Sequence, residues 1–223
     1  MTSSRFTRFA GAGLALGVLA FSGGDLLRRV VEPATPTLAS TTAAVAERTG
    51  LWFAAGVLEL LSALLLVAGA IGVMTLVPGR GRVLTGVGAT LLAVGAIAST
   101  GHTIGYYGTY AAYADSGLDT TALTAMDGTT DALGGVAIAL FMLGMLIGPI
   151  VLTIGLRRAG AVPIWVPVLA VVFVVAGAVS GVPAGVVGLL AGLASLGYVG
   201  VSLMRVPDIA LAPRNAPQAS PAI

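Results

Sequence analysis

Residues 51–77 read LWFAAGVLELLSALLLVAGAIGVMTLV, an apolar run broken by a single ionisable side chain, Glu59. A helix of about 20 apolar residues crosses the ~30 Å hydrocarbon core of a bilayer. A run of this length and polarity makes lipid, not water, the solvent of the chain. The rest of the sequence agrees. Of its 223 residues only 9% are charged and 57% are hydrophobic, against about 25% charged residues in a soluble domain. Too little polar surface remains to face water on every side.

Windows of the same kind recur at 7–24, 51–77, 83–105, 132–156, 163–181 and 183–204. The expected fold is therefore all-α, a polytopic bundle of six transmembrane helices filling residues 1–205. The first span has room to continue as helix to about residue 31. Its start, RFTR followed by an apolar core and AFS, also fits a secretory signal peptide, so retention and cleavage both stay open. Loops 78–82 and 157–162 are short, which makes the spans they join antiparallel neighbours. Residues 33–50 and 107–131 read as loops on one side, the second with room for a short helix near 118–127. Residues 206–223, VPDIALAPRNAPQASPAI, read as a disordered Pro/Ala-rich cytoplasmic tail.

The arginines orient this arrangement. Arg5, Arg8, Arg80, Arg82, Arg157, Arg158, Arg205 and Arg214 fall on one side. Arg28, Arg29 and Arg48 fall on the other, among Asp25, Glu32 and Glu47. The positive-inside rule puts both termini in the cytoplasm, in a bacterial inner membrane. Trp52 and Trp165 stand at opposite edges, where interfacial anchors belong.

Several chemistries lose their residues. The chain has no cysteine and no lysine, which removes disulfides, thiol catalysis, iron–sulfur ligation and Schiff bases. One histidine does not make a His-rich zinc site or a bis-histidine haem. No cofactor or metal is expected. The net charge of +2 is small and dispersed, so nucleic acid is not a partner. The expected partners are membrane lipids, a small lipophilic substrate or ligand and, as an open choice, a second copy of the chain.

Lipid gives helices no hydrophobic reason to associate, so small residues must bring backbones close. Gly13 and Gly17, Gly144 and Gly148, Gly181 and Gly185, and Gly188 and Gly192 are spaced for this. Pro149 is expected to bend the fourth span.

A charge at mid-helix costs about 2.5–3.5 kcal/mol on insertion scales, so such residues face the protein interior. Glu59 lies some 12 Å below its span's edge at about 1.5 Å per residue. There it serves either as a proton donor, proton carrier or ligand anchor, or as a neutral carboxyl bonded to a neighbouring helix. Ser99, His102, Tyr106 and Tyr110 are spaced 3, 4 and 4 apart and fall on one face of the third span. The plainer reading makes them an interfacial histidine and an aromatic belt. Asp127 and Asp131 open the fourth span, where they also suit the helix N-terminus. Asp25 with Arg29, and Arg28 with Glu32, are i,i+4 pairs that could be a solvated ion-pair cluster. Taken together these residues predict one polar pocket opening outward. In it Glu59, His102 and Asp131 are the expected catalytic groups. Tyr106, Tyr110, Ser99, Trp52, Asp127, Asp25 and Arg29 are the expected substrate contacts.

The segment LFMLGMLIGPIVLTIGLRRAGAVPIWVPVLAVV (140–172), with its Leu-x-Arg-Ala-Gly helix end and Val-Pro-x-Trp helix start, resembles small bacterial multi-pass membrane proteins of unknown function. The Gly101–His102 pair belongs to the same resemblance, which concerns topology. Size, helix count and Glu59 are similar to those of the small integral-membrane terpene cyclases of meroterpenoid pathways. That resemblance implies protonation of an alkene or epoxide by Glu59, with Asp131 or Asp127 as a second carboxylate. The 6% aromatic content departs from what a carbocation-handling site requires. Three functions follow: an acid-catalysed cyclase on a prenylated substrate, a transporter or binder of a small lipophilic solute, and a membrane scaffold or accessory subunit.

Overall fold

A computed structural model describes residues 4–74, 79–117, 119–126 and 132–205. The described chain is helical: α1 (Ser4–Val31), α2 (Leu38–Glu47), α3 (Thr49–Met74), α4 (Arg82–Ser116), α5 (Thr120–Met126), α6 (Ala132–Arg158), α7 (Trp165–Ala178) and α8 (Val182–Met204). Helix α8 carries a π-helical turn at Leu193–Gly197. The protein is a multi-pass membrane protein by the length and composition of α1, α3, α4, α6 and α8, five helices long and apolar enough to cross a bilayer. The fifth expected span, 163–181, differs. Helix α7 is apolar but has 14 residues, about 21 Å of rise.

Two further boundaries depart from the sequence expectation. Residues 33–50 contain α2, because Thr37 and Ser40 form a reciprocal capping box: Ser40 N donates to Thr37 Oγ1 at 3.1 Å and Thr37 N to Ser40 Oγ at 3.0 Å. Thr41, Thr42 and Val45 are its buried face. The third span does not stop near residue 105. Helix α4 runs 35 residues to a left-handed Gly117 at φ 65°, far longer than a bilayer needs. Gly101, Gly105 and Gly108 lie on open surface and do not end it. The short helix expected near 118–127 is α5, with Asp119 Oδ1 accepting from Ala122 N at 2.7 Å. The tail from residue 206 lies outside the described residues.

Helix α1 packs on α3 and α8, and α4 is sandwiched by α3 and α6. The core joins Leu14, Val18, Leu66, Leu92, Phe141, Leu152, Val166, Phe173 and Leu196. Glycines set the distances. A Cβ on Gly88 would stand 2.1 Å from Leu152 N, and one on Gly144 would stand 2.4 Å from Gly95 Cα, so α4 and α6 touch backbone to backbone. Gly13 and Gly17 do the same against Leu65 and Leu66 of α3. Outside this core Phe53, Leu64, Val83 and Leu190 are all more than 60% exposed, the lipid-facing surface such a bundle requires.

Candidate functional site

The site forms where the C-terminal half of α1 meets the first half of α3, the second half of α4 and the ends of α6, α7 and α8. Glu59 is 6% exposed. Its Oε1 accepts from the Tyr107 hydroxyl at 2.8 Å and its Oε2 from Thr103 Oγ1 at 3.2 Å. Both donors come from α4, one turn apart. Two glycines make the space: a Cβ on Gly24 would stand 2.9 Å from Glu59 Cγ, and one on Gly56 would stand 3.2 Å from the Tyr107 ring.

Above Glu59, α1 carries an ionic ladder. Arg28 Nη2 donates to Asp25 Oδ1 at 2.6 Å, and Arg28 also pairs with Glu32. Arg29 Nε donates to Asp25 Oδ2 at 2.6 Å. The Tyr106 hydroxyl donates to Glu32. Two cations thus face two carboxylates. Arg29 has a second duty. Its guanidinium donates to Gly177 O at 3.0 Å, Gly181 O at 3.2 Å, Ala176 O at 3.4 Å and also Val179 O. Ala176, Gly177 and Val179 form the end of α7, where a cation suits the helix dipole; Ala176 O also accepts from Val179 N, and Gly181 O, at the start of α8, from Gly185 N.

A cavity of about 310 Å³ opens beside these groups. Its polar wall is Ser22, Asp25, Arg28, Glu59, His102, Tyr106 and Tyr107, and its apolar wall includes Phe21, Phe141, Met145, Leu146 and Phe173. Phe21 contacts Phe141 and Phe173 at ring-centroid distances of 6.4 and 6.2 Å. His102 stacks on Phe141 at 5.3 Å and 19°. A second hollow of about 590 Å³ lies under the residues after α1 and the α7–α8 turn, and shares Arg28, Gly177 and Ala178 with the first. Among the described residues no group of three His, Asp or Glu is placed to hold a metal ion.

The expected site residues divide. Glu59, His102, Tyr106 and Asp25 line the cavity. Arg29 stands behind it, lining the second hollow and capping α7. Ser99 does not line the cavity and donates to Ala96 O of its own helix at 2.7 Å. Trp52 is 1% exposed, not an interfacial anchor. Its Nε1 donates to Tyr107 O at 3.0 Å and its ring packs on Tyr106, Tyr107 and Tyr110, so it braces the tyrosines from behind. Tyr110 belongs to that aromatic cluster. Asp127 and Asp131 lie outside the described residues. The single face expected for 99, 102, 106 and 110 is split. Ser99, Thr103 and Tyr107 form the buried stripe of α4, and His102 and Tyr106 form the neighbouring cavity wall.

Sequence reasoning passed over Thr103 and Ser22, and it did not place Arg28 or Glu32 at a site. Glu59 meets its partners 44 and 48 residues away, and no local pattern announces such a pairing. The ladder was visible as i,i+4 spacing, but its insertion against α7 was not. Comparison with protein-family models, curated proteins and solved structures finds no match. No family is thereby identified for either resemblance noted in the sequence, and the cavity itself carries the functional argument.

Proposed function

We propose that the cavity holds a small lipophilic molecule and that Glu59 protonates it, in an acid-catalysed cyclisation of a prenylated substrate. One observation carries this reading: the Glu59 carboxyl and the rings of Phe21, Phe141 and Phe173 line the same space. Acid and aromatic faces are the two things a carbocation reaction needs. The chain is poor in aromatics, and five of its thirteen, Phe21, Tyr106, Tyr107, Phe141 and Phe173, line the cavity.

The proton passes from the Glu59 carboxyl to an alkene carbon or epoxide oxygen. An alkene's π pair forms the new C–H bond, or the epoxide C–O bond breaks, leaving a carbocation beside the phenylalanines. A second alkene's π pair closes the ring. The Glu59 carboxylate takes back the proton that is then lost, directly or relayed through His102, so the acid is regenerated and the reaction is an isomerisation needing no co-reactant. Low water content in the cavity protects the cation. In this reading all six apolar segments, α7 included, cross a bacterial inner membrane with both termini in the cytoplasm, and the cavity opens outward.

The test is turnover of prenylated alkenes and epoxides by membranes containing the protein. General acids contribute about 10²–10⁴-fold, so Glu59→Gln should lose at least about 100-fold while remaining folded. Full activity in that variant sinks the catalytic reading. A second reading, non-enzymatic binding or transport, has its own support: both Glu59 oxygens already receive hydrogen bonds, as a fixed ligand anchor would. It is favoured if ligand binds and leaves chemically unchanged.

A further inference from the structure

The polar groups around the cavity can be sorted by whether they already hold a partner. Glu59 accepts from Tyr107 and Thr103. Asp25 and Arg28 bond each other, and Tyr106 bonds Glu32. Two groups are left. Ser22 is one of the residues lining the cavity and is 3% exposed, and its buried Oγ has no hydrogen-bond partner among the described residues. Thr7, Thr41 and Thr85 also carry buried hydroxyls without a partner, but none of them lines this cavity, and among the buried described serines Ser22 stands alone. The hydroxyls of Ser62, Ser99 and Ser195 each return to the carbonyl three residues back in their own helix, the ordinary resort of a helical serine. His102 also lines the cavity, held by ring contacts with Phe141 and Tyr106, and its nitrogens bond nothing among the described residues.

We infer that Ser22 and His102 are the recognition pair for one neutral oxygen function, a hydroxyl, carbonyl or ether, on a lipophilic ligand whose apolar body lies against Phe21, Phe141 and Phe173. This rests on the cavity being a ligand site, as proposed above, and not on Glu59 acting as an acid. A buried hydroxyl with no partner is costly to leave unmatched, and a ligand oxygen removes that cost. A hydrocarbon would leave both groups unmet. A phosphate is opposed by charge: Arg28 and Arg29 are already matched by Asp25, Glu32 and the α7 carbonyls. No cation lining the cavity is spare to neutralise a phosphate. The ligand class is thus a neutral oxygenated lipophile.

The experiment uses the full chain in lipid nanodiscs with three probes of one skeleton: farnesol, farnesene and farnesyl phosphate. Affinity is read from the concentration dependence of thermal stabilisation. Wild type should bind farnesol about 10-fold more tightly than farnesene, the worth of one or two buried hydrogen bonds, and more tightly than farnesyl phosphate. Ser22→Ala should weaken farnesol about 3–10-fold and leave farnesene unchanged. Its melting temperature without ligand should be equal to or above wild type, because the variant removes an unmatched hydroxyl and no bond. His102→Phe keeps the ring stack and should likewise lose only the preference for the alcohol. Equal affinity for farnesol and farnesene, preference for the phosphate, or no farnesol binding by wild type overturns the inference. A full preference retained in either variant overturns the assignment of that residue. Glu59 chemistry enters none of these readouts. Glu59→Gln protein that turns over normally while the alcohol preference holds would therefore remove the catalytic reading and leave this one standing.

Discussion

Tyr107 gives Glu59 its shorter hydrogen bond, and Trp52 fixes the Tyr107 backbone in turn. Tyr107→Phe should cost about 1–3 kcal/mol, since it strips a buried carboxyl of a donor; unfolding in mixed micelles measures it. Arg29→Met should cost more, about 3–5 kcal/mol, the range for breaking a buried pair. It leaves Asp25 with fewer partners and takes the guanidinium donors away from the Gly177 and Val179 carbonyls. Arg29→Lys should fall between, because an ammonium lacks the planar fork that reaches them together. At this scale Glu59 was legible because it is the sole ionisable residue in an apolar run. Ser22 was not. It reads like any helical serine, and only the absence of a partner in the folded chain marks it.

Helix pairs respond to glycine by position rather than by motif. Gly88 and Gly144 stand at backbone contacts between α4 and α6, so Gly88→Leu should separate the two helices and prevent stable expression. Gly101 faces open space, so Gly101→Ala should be neutral or raise helix stability by up to about 1 kcal/mol. The melting temperatures of the two purified variants, or the failure to obtain one, decide this. Span cores were legible from hydropathy, and the pairs at 13/17 and 144/148 were legible from spacing. Ends were harder. The stretch from Gly101 to Tyr110 looked like a helix leaving the membrane, yet its glycines point outward and cost the helix little. Residues 33–50 hid α2 because its start depends on two hydroxyls meeting across a turn. The early end of α7 was hidden because the arginine that meets its last carbonyls is supplied by another helix.

Across the whole molecule, arginines concentrate at the end carrying the α3–α4 and α6–α7 turns, and the opposite end carries α2, α5 and the cavity. The chain has no cysteine, so single cysteines report topology cleanly. A membrane-impermeant maleimide should label Thr35→Cys in intact cells and Arg80→Cys only after permeabilisation. The reverse pattern would turn the cavity to face the cytoplasm. The capping of α7 by Arg29 also has a consequence in time. Helix α1 is made early and α7 late, so Arg29 waits through most of translation for the carbonyls it will hold. A nascent chain halted at Arg158 carries the Arg29 guanidinium with Asp25 but without α7. The finished protein buries that guanidinium, so the burial of Arg29 reports that α7 has been made and packed.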